Sequence, residues 1–199
     1  MSIGRGRTKG ALRAPFFARP AHLVAPDLVG ALLVSEIGGL RTVGRIVETE
    51  AYEGPDDPAS HAATPIGRTR RNEGLFGPPG TAYVHLNYGV HWCFNAVTDA
   101  EGSPHGVLIR ALEPVSGERH MRARRGRDDL TNGPARLTQA LGIGPELRGH
   151  RLDAPPVWIE GQSPIPPEAL VTTTRIGITK GSDLLLRYYD SRSRWVSRR

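Results

Sequence analysis

Residues 44–61 read Gly-Arg-Ile-Val-Glu-Thr-Glu-Ala-Tyr-Glu-Gly-Pro-Asp-Asp-Pro-Ala-Ser-His. This segment begins as an apolar, β-type run and ends in a glycine and two prolines, which force the chain out of a sheet. Side chains two positions apart on a strand point to the same face. Glu48, Glu50 and Tyr52 are therefore expected on one side of a strand, where they form either a solvated edge, as most glutamates do, or a functional site.

The segments around this strand alternate between helical and β-type patterns. Apolar residues at spacings of three and four predict a helix over residues 20–33, and Gly38-Gly39 marks a hairpin turn between strands at 32–37 and 40–51. The glycine-rich and proline-rich stretch 54–80 is expected to be a long surface loop. The later patterns predict a strand at 106–113, helices at 116–127 and 132–141, and short strands at 157–159, 172–178 and 184–189.

A second informative stretch, residues 81–98, reads as two β runs that meet at Asn87-Tyr88-Gly89. Asparagine and glycine suit a tight turn, which leaves Tyr88 near the tip of a hairpin. Tyr83 and His85 share one face of the first run, and Asn95 lies on the second run. The histidine and Asn95 are then either satisfied polar groups of a half-buried sheet or members of a site.

A single arginine, Arg110, lies inside the apolar run 106–113. A buried guanidinium needs an anionic partner, and Glu48 and Glu50 are the candidates. The helix predicted at 132–141 begins with an Asn-Gly-Pro sequence. The free backbone amides at such a helix start, together with Arg136, suit a phosphate group.

The composition is strongly basic. The chain has 199 residues and a formal charge of +6, and all of its 26 basic residues are arginines except Lys9 and Lys180. Length and a hydrophobic fraction of 38% allow one sizeable core. Arginine makes two-pronged contacts with phosphate, so the composition favours a polyanionic partner, although a genome rich in G and C produces the same bias.

Other features of the composition exclude whole classes of protein. A single cysteine, Cys93, rules out a disulfide framework and a cysteine-rich zinc site. We expect neither a membrane span nor a secretion signal, because no apolar stretch is long enough. Residues 1–17 are expected to form a basic, disordered tail, and 18–199 a single domain.

The common catalytic motifs are also missing from the sequence. It has no His-x-Glu followed by Pro-Cys-x-x-Cys, which excludes a zinc deaminase, no phosphate-binding glycine loop that opens a helix, and no Gly-x-Ser-x-Gly elbow. What remains is a pair of carboxylates near aromatic residues and an arginine. This set suits a reaction through a cation-like sugar transition state, in which a carboxylate activates water and flat side chains hold a flat leaving group.

The sequence resembles the alkyladenine (3-methyladenine) DNA glycosylase family from about residue 20 to residue 197. The resemblance rests on motifs that occur in the same order: Arg-Ile-Val-Glu-Thr-Glu-Ala-Tyr from Arg45, Gly-Pro-Asp-Asp-Pro-Ala-Ser-His from Gly54, Arg71-Asn72, Phe-Gly-Pro-Pro-Gly-Thr-Ala-Tyr-Val from Phe76, Tyr-Gly-Val-His from Tyr88, Leu-Ile-Arg-Ala-Leu-Glu-Pro from Leu108, Thr-Asn-Gly-Pro from Thr131, Gln-Ala-Leu-Gly-Ile from Gln139 and Trp195-Val196.

The resemblance implies an α+β fold, a single mixed domain with a curved antiparallel β-sheet core, peripheral helices and a protruding β-hairpin. It implies a monofunctional enzyme of base excision repair that flips alkylated or deaminated purines out of duplex DNA through the minor groove and hydrolyses the N-glycosidic bond without a cofactor or a metal. The expected enzyme is a monomer that works in the bacterial cytoplasm and nucleoid, or in the nucleus of a eukaryote, and is not secreted.

The resemblance also implies roles for individual residues. Glu50 would be the general base for the attacking water, and Arg110 would help to hold that water and the charge. The residues implied around the flipped base are Tyr52, His61, His85 and Asn95, the last of which would exclude the 2-amino group of undamaged guanine. The residues expected to contact DNA are Tyr88, as the wedge that fills the gap in the duplex, Arg71, Arg136 and Tyr83.

One position departs from the family. His85 stands where members of the family often carry tyrosine, so one wall of the pocket is smaller and can become charged. A protonated His85 would disfavour cationic bases such as 3-methyladenine and 7-methylguanine relative to hypoxanthine below about pH 6.5, the ordinary histidine pKa.

The scarcity of lysine bears on the mechanism. Glycosylases that also cut the strand need an amine nucleophile, and only Lys9, Lys180 and the N-terminus can supply one here. Two other functions stay open on the residues alone. One is a non-catalytic domain that binds distorted or single-stranded DNA, and the other is hydrolysis of free nucleosides, which needs neither a wedge nor the arginines.

Overall fold

The computed structural model describes residues 8–64, 66–87 and 89–199. These residues form an α+β fold in which four helices surround one antiparallel sheet. The helices are α1 (Ala14–Phe17), α2 (Ala21–Leu28), α3 (Glu118–Arg125) and α4 (Pro134–Leu141). The strands are β1 (Leu32–Ser35), β2 (Thr42–Tyr52), β3 (Ala82–Asn87), β4 (His91–Thr98), β5 (His105–Ser116), β6 (Asp153–Ala154), β7 (Val157–Glu160), β8 (Leu170–Thr173) and β9 (Arg187–Asp190).

Strand β2 lies at the centre of the sheet. The strand order is β3-β4-β5-β2-β1-β7-β6, and β9 pairs with β2 as well as with β8. The register between β2 and β5 shifts on both sides of Glu48, which marks a bulge, and bulges bend a strand and increase its twist. The sheet therefore curves at the position of the paired carboxylates.

The carboxylates of β2 are not on a solvated edge. Glu48 and Glu50 are both 0% exposed, because β2 is covered by neighbouring strands and by helix α2. The Oγ1 of Thr49 donates a hydrogen bond of 2.9 Å to the carbonyl oxygen of Ala25 in that helix. The solvated-edge alternative for this strand is therefore wrong.

Most of the predicted elements are present, but several end at different residues. The helix predicted over 20–33 stops at Leu28, because Gly30 takes a φ of +102°, which favours glycine, and the chain then enters β1. The turn at Gly38-Gly39 is confirmed, with both residues at positive φ. The strand predicted over 172–178 ends at Thr173, and the one predicted over 184–189 begins only at Arg187.

The N-terminal stretch differs from the prediction. The Thr8 amide donates to the carbonyl oxygen of Asp153, the Leu12 amide donates to that of Ile159, and Phe17 is fully buried in the main apolar core. These contacts correct the prediction of a disordered tail for residues 8–17, since a buried phenylalanine anchors that stretch. Residues 1–7 lie outside the described residues.

The predicted hairpin consists of β3 and β4, paired in register from Ala82 opposite Ala96 to Asn87 opposite His91. Leu86 and Val90 near its end are 40% and 70% exposed. Tyr88, the predicted wedge, lies outside the described residues. The helices of the part of the chain that the structure describes are all too short or too polar to cross a membrane.

Candidate active site

A cavity of about 400 Å³ opens between the β3–β4 hairpin, the loop that follows β2 and the segment 176–178. The first strand of the hairpin contributes Tyr83 and His85, and the second contributes Asn95. Tyr52, at the end of β2, and Arg110, in the middle of β5, complete the wall. Residues that are far apart in sequence meet here because the hairpin and β2 flank β5 in the curved sheet.

Glu50 lies directly behind this wall. Its Oε1 accepts a hydrogen bond of 2.8 Å from the amide of Ile176 and lies 3.1 Å from Nη1 of Arg110. Its Oε2 accepts a hydrogen bond of 2.9 Å from the hydroxyl of Tyr52. All three donors belong to residues that line the cavity, so Glu50 is fully buried and yet one side chain away from it.

A second carboxylate holds Arg110 from the other side. Oε1 of Glu48 accepts hydrogen bonds from Nε of Arg110 at 3.2 Å and from Nη1 of Arg187 at 2.7 Å. The two glutamates and the two arginines form what we call the buried ion cluster, in which the exposed fraction of every member is 8% or less. Burial would lower the pKa of Arg110, but Glu50 and Glu48 outweigh it and raise the pKa, so the guanidinium stays charged.

The prediction that Arg110 pairs with Glu48 and Glu50 is confirmed by these distances. A second buried ion pair holds the ring of Tyr52. The guanidinium carbon of Arg175 lies 4.7 Å from the centre of that ring, and Arg175 is itself paired with the buried carboxylate of Asp57.

Three rings pack together in the wall of the cavity. His85 stacks on Tyr83 with ring centres 5.0 Å apart, and the edge of His61 meets His85 at 4.4 Å. Nδ1 of His61 lies 3.0 Å from the Tyr83 hydroxyl. Nδ2 of Asn95 donates to the carbonyl oxygen of Tyr83 at 3.0 Å and lies 3.3 Å from Nδ1 of His85, which fixes the carboxamide at the cavity wall.

These rings are uncharged at neutral pH. Burial, with smaller contributions from His61 and Arg148, lowers the pKa of His85 to about 3. Burial also lowers the pKa of His61 and raises that of Tyr83 to about 12. The expectation that His85 becomes charged near pH 6.5 is therefore wrong, because the ring is desolvated and stands beside another histidine and an arginine.

Comparison with known sequences assigns the family. The sequence model described as methylpurine-DNA glycosylase matches residues 15–194, which is most of the chain. The chain belongs to the methylpurine-DNA glycosylase family. It is accordingly a hydrolase of N-glycosidic bonds and a DNA repair enzyme, and the alternative of a non-catalytic binding domain is excluded.

Three relatives of this glycosylase carry names that assign them provisionally as 3-methyladenine DNA glycosylases. The protein of Rhodopseudomonas palustris is 52% identical and the alignment covers 94% of this chain and 90% of the relative. The protein of Methanoculleus marisnigri is 50% identical, with 94% and 99% covered. The protein of Carboxydothermus hydrogenoformans is 47% identical, with 92% and 97% covered.

The fold of this glycosylase brings most of the predicted site residues together. Those at the cavity are Tyr52, His61, Tyr83, His85, Asn95 and Arg110, with Glu50 directly behind them. Arg71 is exposed and lies outside the cavity, in an adjoining groove of about 1080 Å³. Arg136 lies beside the start of α4, but its Nε is 3.2 Å from the carboxylate of Asp129 and its Nη1 donates to Asn132.

Sequence reasoning did not predict roles for Arg187, Arg175 or the segment 176–178. Arg187 directly follows three leucines, which is close to the signal that identified Arg110, so it could have been found in the same way. Arg175 follows three threonines and carries no such signal. The contribution of Ile176 could not have been found either, because it is made by a backbone amide. Cys93 also lines the cavity, and burial raises the pKa of its thiol to about 11.

Proposed function

We propose that this protein is a monofunctional DNA glycosylase that extrudes an alkylated or deaminated purine from duplex DNA and hydrolyses its N-glycosidic bond with a water activated by Glu50. The observation that supports this most is a fully buried carboxylate one side chain behind a cavity of base size. A carboxylate in such a dry site interacts strongly with positive charge that develops on a sugar.

The cavity offers flat surfaces to a flat base. Tyr52, His61 and His85 all line it. Aromatic stacking returns roughly 1–3 kcal/mol for each base, while unstacking a base costs a few kcal/mol, so a damaged base that pairs poorly is extruded more readily. Because both histidines are neutral, the wall does not repel a purine that alkylation has made cationic.

The chemical step follows from the bonds of Glu50. Oε1 already accepts from two donors, whereas Oε2 accepts only from Tyr52 among the described residues, so Oε2 is the oxygen that takes up a proton. In the proposed step the water oxygen bonds to the anomeric carbon, the bond from that carbon to the purine nitrogen breaks with its electrons on the base, and the water proton passes to Oε2. Arg110, which reaches both the cavity and Glu50, holds the water.

The proposed contacts with DNA rest on the chemistry of individual side chains and on where these lie relative to the cavity. In the sequence Tyr88 falls between Leu86 and Val90, which are exposed, and an aromatic residue at that point of the sequence suits a wedge that enters the minor groove. Arg71 and Arg136 would contact phosphates, and Asn95 would exclude the 2-amino group of guanine. We also propose that the enzyme is a monomer, active in the compartment that holds the chromosome.

The absence of a lysine near the cavity, within the described residues, supports the monofunctional assignment, because Lys180 lines only the adjoining groove. A water-using enzyme leaves an abasic site with an intact strand. Treatment of the working enzyme with borohydride should therefore trap no covalent adduct with DNA, and a trapped adduct would contradict the proposal.

The first test is Glu50→Gln. We expect it to abolish base release from duplexes with single hypoxanthine, ethenoadenine or 3-methyladenine sites, as measured by alkaline cleavage of abasic sites, and to leave binding to the same duplexes intact or stronger. Glu113→Gln is the matched control, since Glu113 pairs with Arg45 on the same sheet away from the cavity. Full activity of Glu50→Gln would refute the mechanism.

A further inference from the structure

Glu48 is a buried carboxylate with as many bonds as Glu50, and the proposed mechanism gives it no role. It is 0% exposed and accepts from Arg110, from Arg187 and, at 2.7 Å, from the backbone amide of Ser197. All three partners of Glu50 line the cavity, whereas Arg110 is, among the described residues, the single partner of Glu48 that does. Glu48 is therefore expected to act through the arginines that it holds.

The charges of the buried ion cluster cancel. Glu48 and Glu50 carry two negative charges, and Arg110 and Arg187 carry two positive ones. The adjacent pair of Asp57 and Arg175 also sums to zero. The histidines of the cavity wall are neutral, so the side chains that line the cavity and the cluster behind it carry no net charge. The positive charges of Arg71 and Arg148 belong to the adjoining groove. In a buried site, a single unbalanced charge acts on a bound cation with little screening.

We propose that Glu48 is a positioning and specificity-determining residue, which holds Arg110 against Glu50 and balances Arg187, so that the cavity accepts cationic methylated purines as well as neutral deaminated ones. This inference rests on the proposed function of Glu50. It gives Glu48 a role in substrate preference in addition to its structural role. The reason is that the loss of one charge from the cluster changes the electrostatic potential at the base in a direction that can be predicted.

The end of the chain holds this arrangement in place. Besides the bond from the Ser197 amide to Oε2 of Glu48, Nη1 of Arg187 donates to the carbonyl oxygen of Arg198 at 2.7 Å. Nη2 of Arg110 lies 3.4 Å from the Ser197 hydroxyl. Val196 is buried and Trp195 packs against the core. The last residues therefore fix Glu48 and both arginines from the side opposite the cavity.

The test compares single-turnover rates on duplex DNA with 7-methylguanine, which is cationic, and with hypoxanthine, which is neutral. Glu48→Gln gives the cluster one extra positive charge, so we expect the ratio of the cationic to the neutral rate to fall about tenfold. Arg187→Gln gives it one extra negative charge, and the ratio should rise. The double variant is neutral again, and its ratio should return to within about twofold of the wild type.

If Glu48 had only a structural role, each substitution would change the rates on both substrates by the same factor. The ratio would then not shift in opposite directions in Glu48→Gln and Arg187→Gln. The matched control is Asp190→Asn, which removes a fully buried carboxylate that two arginines hold on the same strand as Arg187. It should lower the unfolding temperature and leave the ratio unchanged. If Glu48→Gln does not fold, the test rests on Arg187→Gln alone. A ratio of the cationic to the neutral rate equal to that of the wild type then overturns the inference.

The outcomes separate this inference from the proposed function. If Glu50→Gln still releases bases, the proposed mechanism fails. If Glu50→Gln is inactive and the ratio is the same in Glu48→Gln, Arg187→Gln and the wild type, only the inference about Glu48 fails. A ratio that shifts in opposite directions in the two single variants supports both.

Discussion

At the scale of the residue, the site depends on how burial changes the charge of each side chain. His85 is an example. Its ring stacks on Tyr83 and meets the edge of His61, and burial lowers its pKa to about 3, so the ring is neutral at pH 7. From its residue type alone it would be a switch near neutral pH. Desolvation removes that switch, since the charged form loses its hydration and faces Arg148.

We therefore predict that titration of His85 has no influence on substrate preference between about pH 5.5 and pH 8. The ratio of 7-methylguanine release to hypoxanthine release, measured under single-turnover conditions, should follow the same pH course in the wild type and in His85→Tyr, because neither side chain changes its charge in this range. A bend near pH 6.5 in the wild type that His85→Tyr lacks would show that the ring is hydrated and titrates normally.

At the scale of the element, strand β9 is anchored to β2 by buried carboxylates and arginines. Asp190 is fully buried, accepts from Arg45 at 2.9 Å and is also paired with Arg192. Burial alone would raise the pKa of Asp190, but the hydrogen bonds from Arg192 and Arg45 outweigh it and lower the pKa to about 2. The strand that supplies Arg187 to the buried ion cluster thus depends on an ionised Asp190.

The sign of the resulting pH dependence is fixed by the lowered pKa. Asp190 stabilises the fold fully above its unfolded pKa of about 3.9, and this contribution is lost as the pH falls toward 2. We expect the loss to reach about 2 kcal/mol in the free energy of unfolding. Urea unfolding of the wild type and of Asp190→Asn between pH 5 and pH 2.5 measures it.

In that experiment the two curves should converge as the pH falls, because Asp190→Asn has already lost the contribution. Glu113→Gln is the control, since it also removes a carboxylate partner of Arg45 but keeps Asp190, so its curve should retain the loss of stability toward pH 2.5 that Asp190→Asn lacks. A gap between the wild type and Asp190→Asn that is the same at pH 5 and at pH 2.5 would refute the prediction.

At the scale of the whole molecule, part of the positive charge of the chain lies on the surface beside the cavity. The adjoining groove shares His61, Tyr83 and His85 with the cavity, and the basic side chains that line it are Arg70, Arg71, Arg148 and Lys180. A strand of DNA whose damaged base enters the cavity would place its neighbouring phosphates along such a groove, since arginine contacts phosphate in two-pronged fashion.

We predict that duplex affinity falls steeply with salt and that Arg71→Gln reduces the slope of log Kd against log salt by about one, because each neutralised phosphate releases about one counterion. Titrations at several salt concentrations measure the slope. Arg192→Gln is the control, since Arg192 is an exposed arginine that pairs with Asp190 and lies outside the groove. An unchanged slope in Arg71→Gln would place Arg71 away from the DNA.

The sequence by itself determined the order of most elements, the hairpin and the pair of glutamates, and its resemblance to the family implied the α+β class and the other candidates around the cavity. Period-two and helical patterns depend on neighbouring residues only. The paired glutamates, Tyr52 and the single Arg110 can likewise be recognised in the sequence before their contacts are known. The pairing of Arg110 with Glu48 and Glu50 could also be predicted, because a buried guanidinium requires anions.

Only the tertiary structure decided how these groups are charged and held. Contacts between segments far apart in the chain produce the neutrality of His85, the burial of both glutamates and the hydrogen bond from the Ile176 amide. They also produce the bonds that Ser197 and Arg198 make with Glu48 and Arg187. The physical reason is that desolvation and hydrogen-bond partners depend on what the fold packs around a group, which local sequence patterns do not encode.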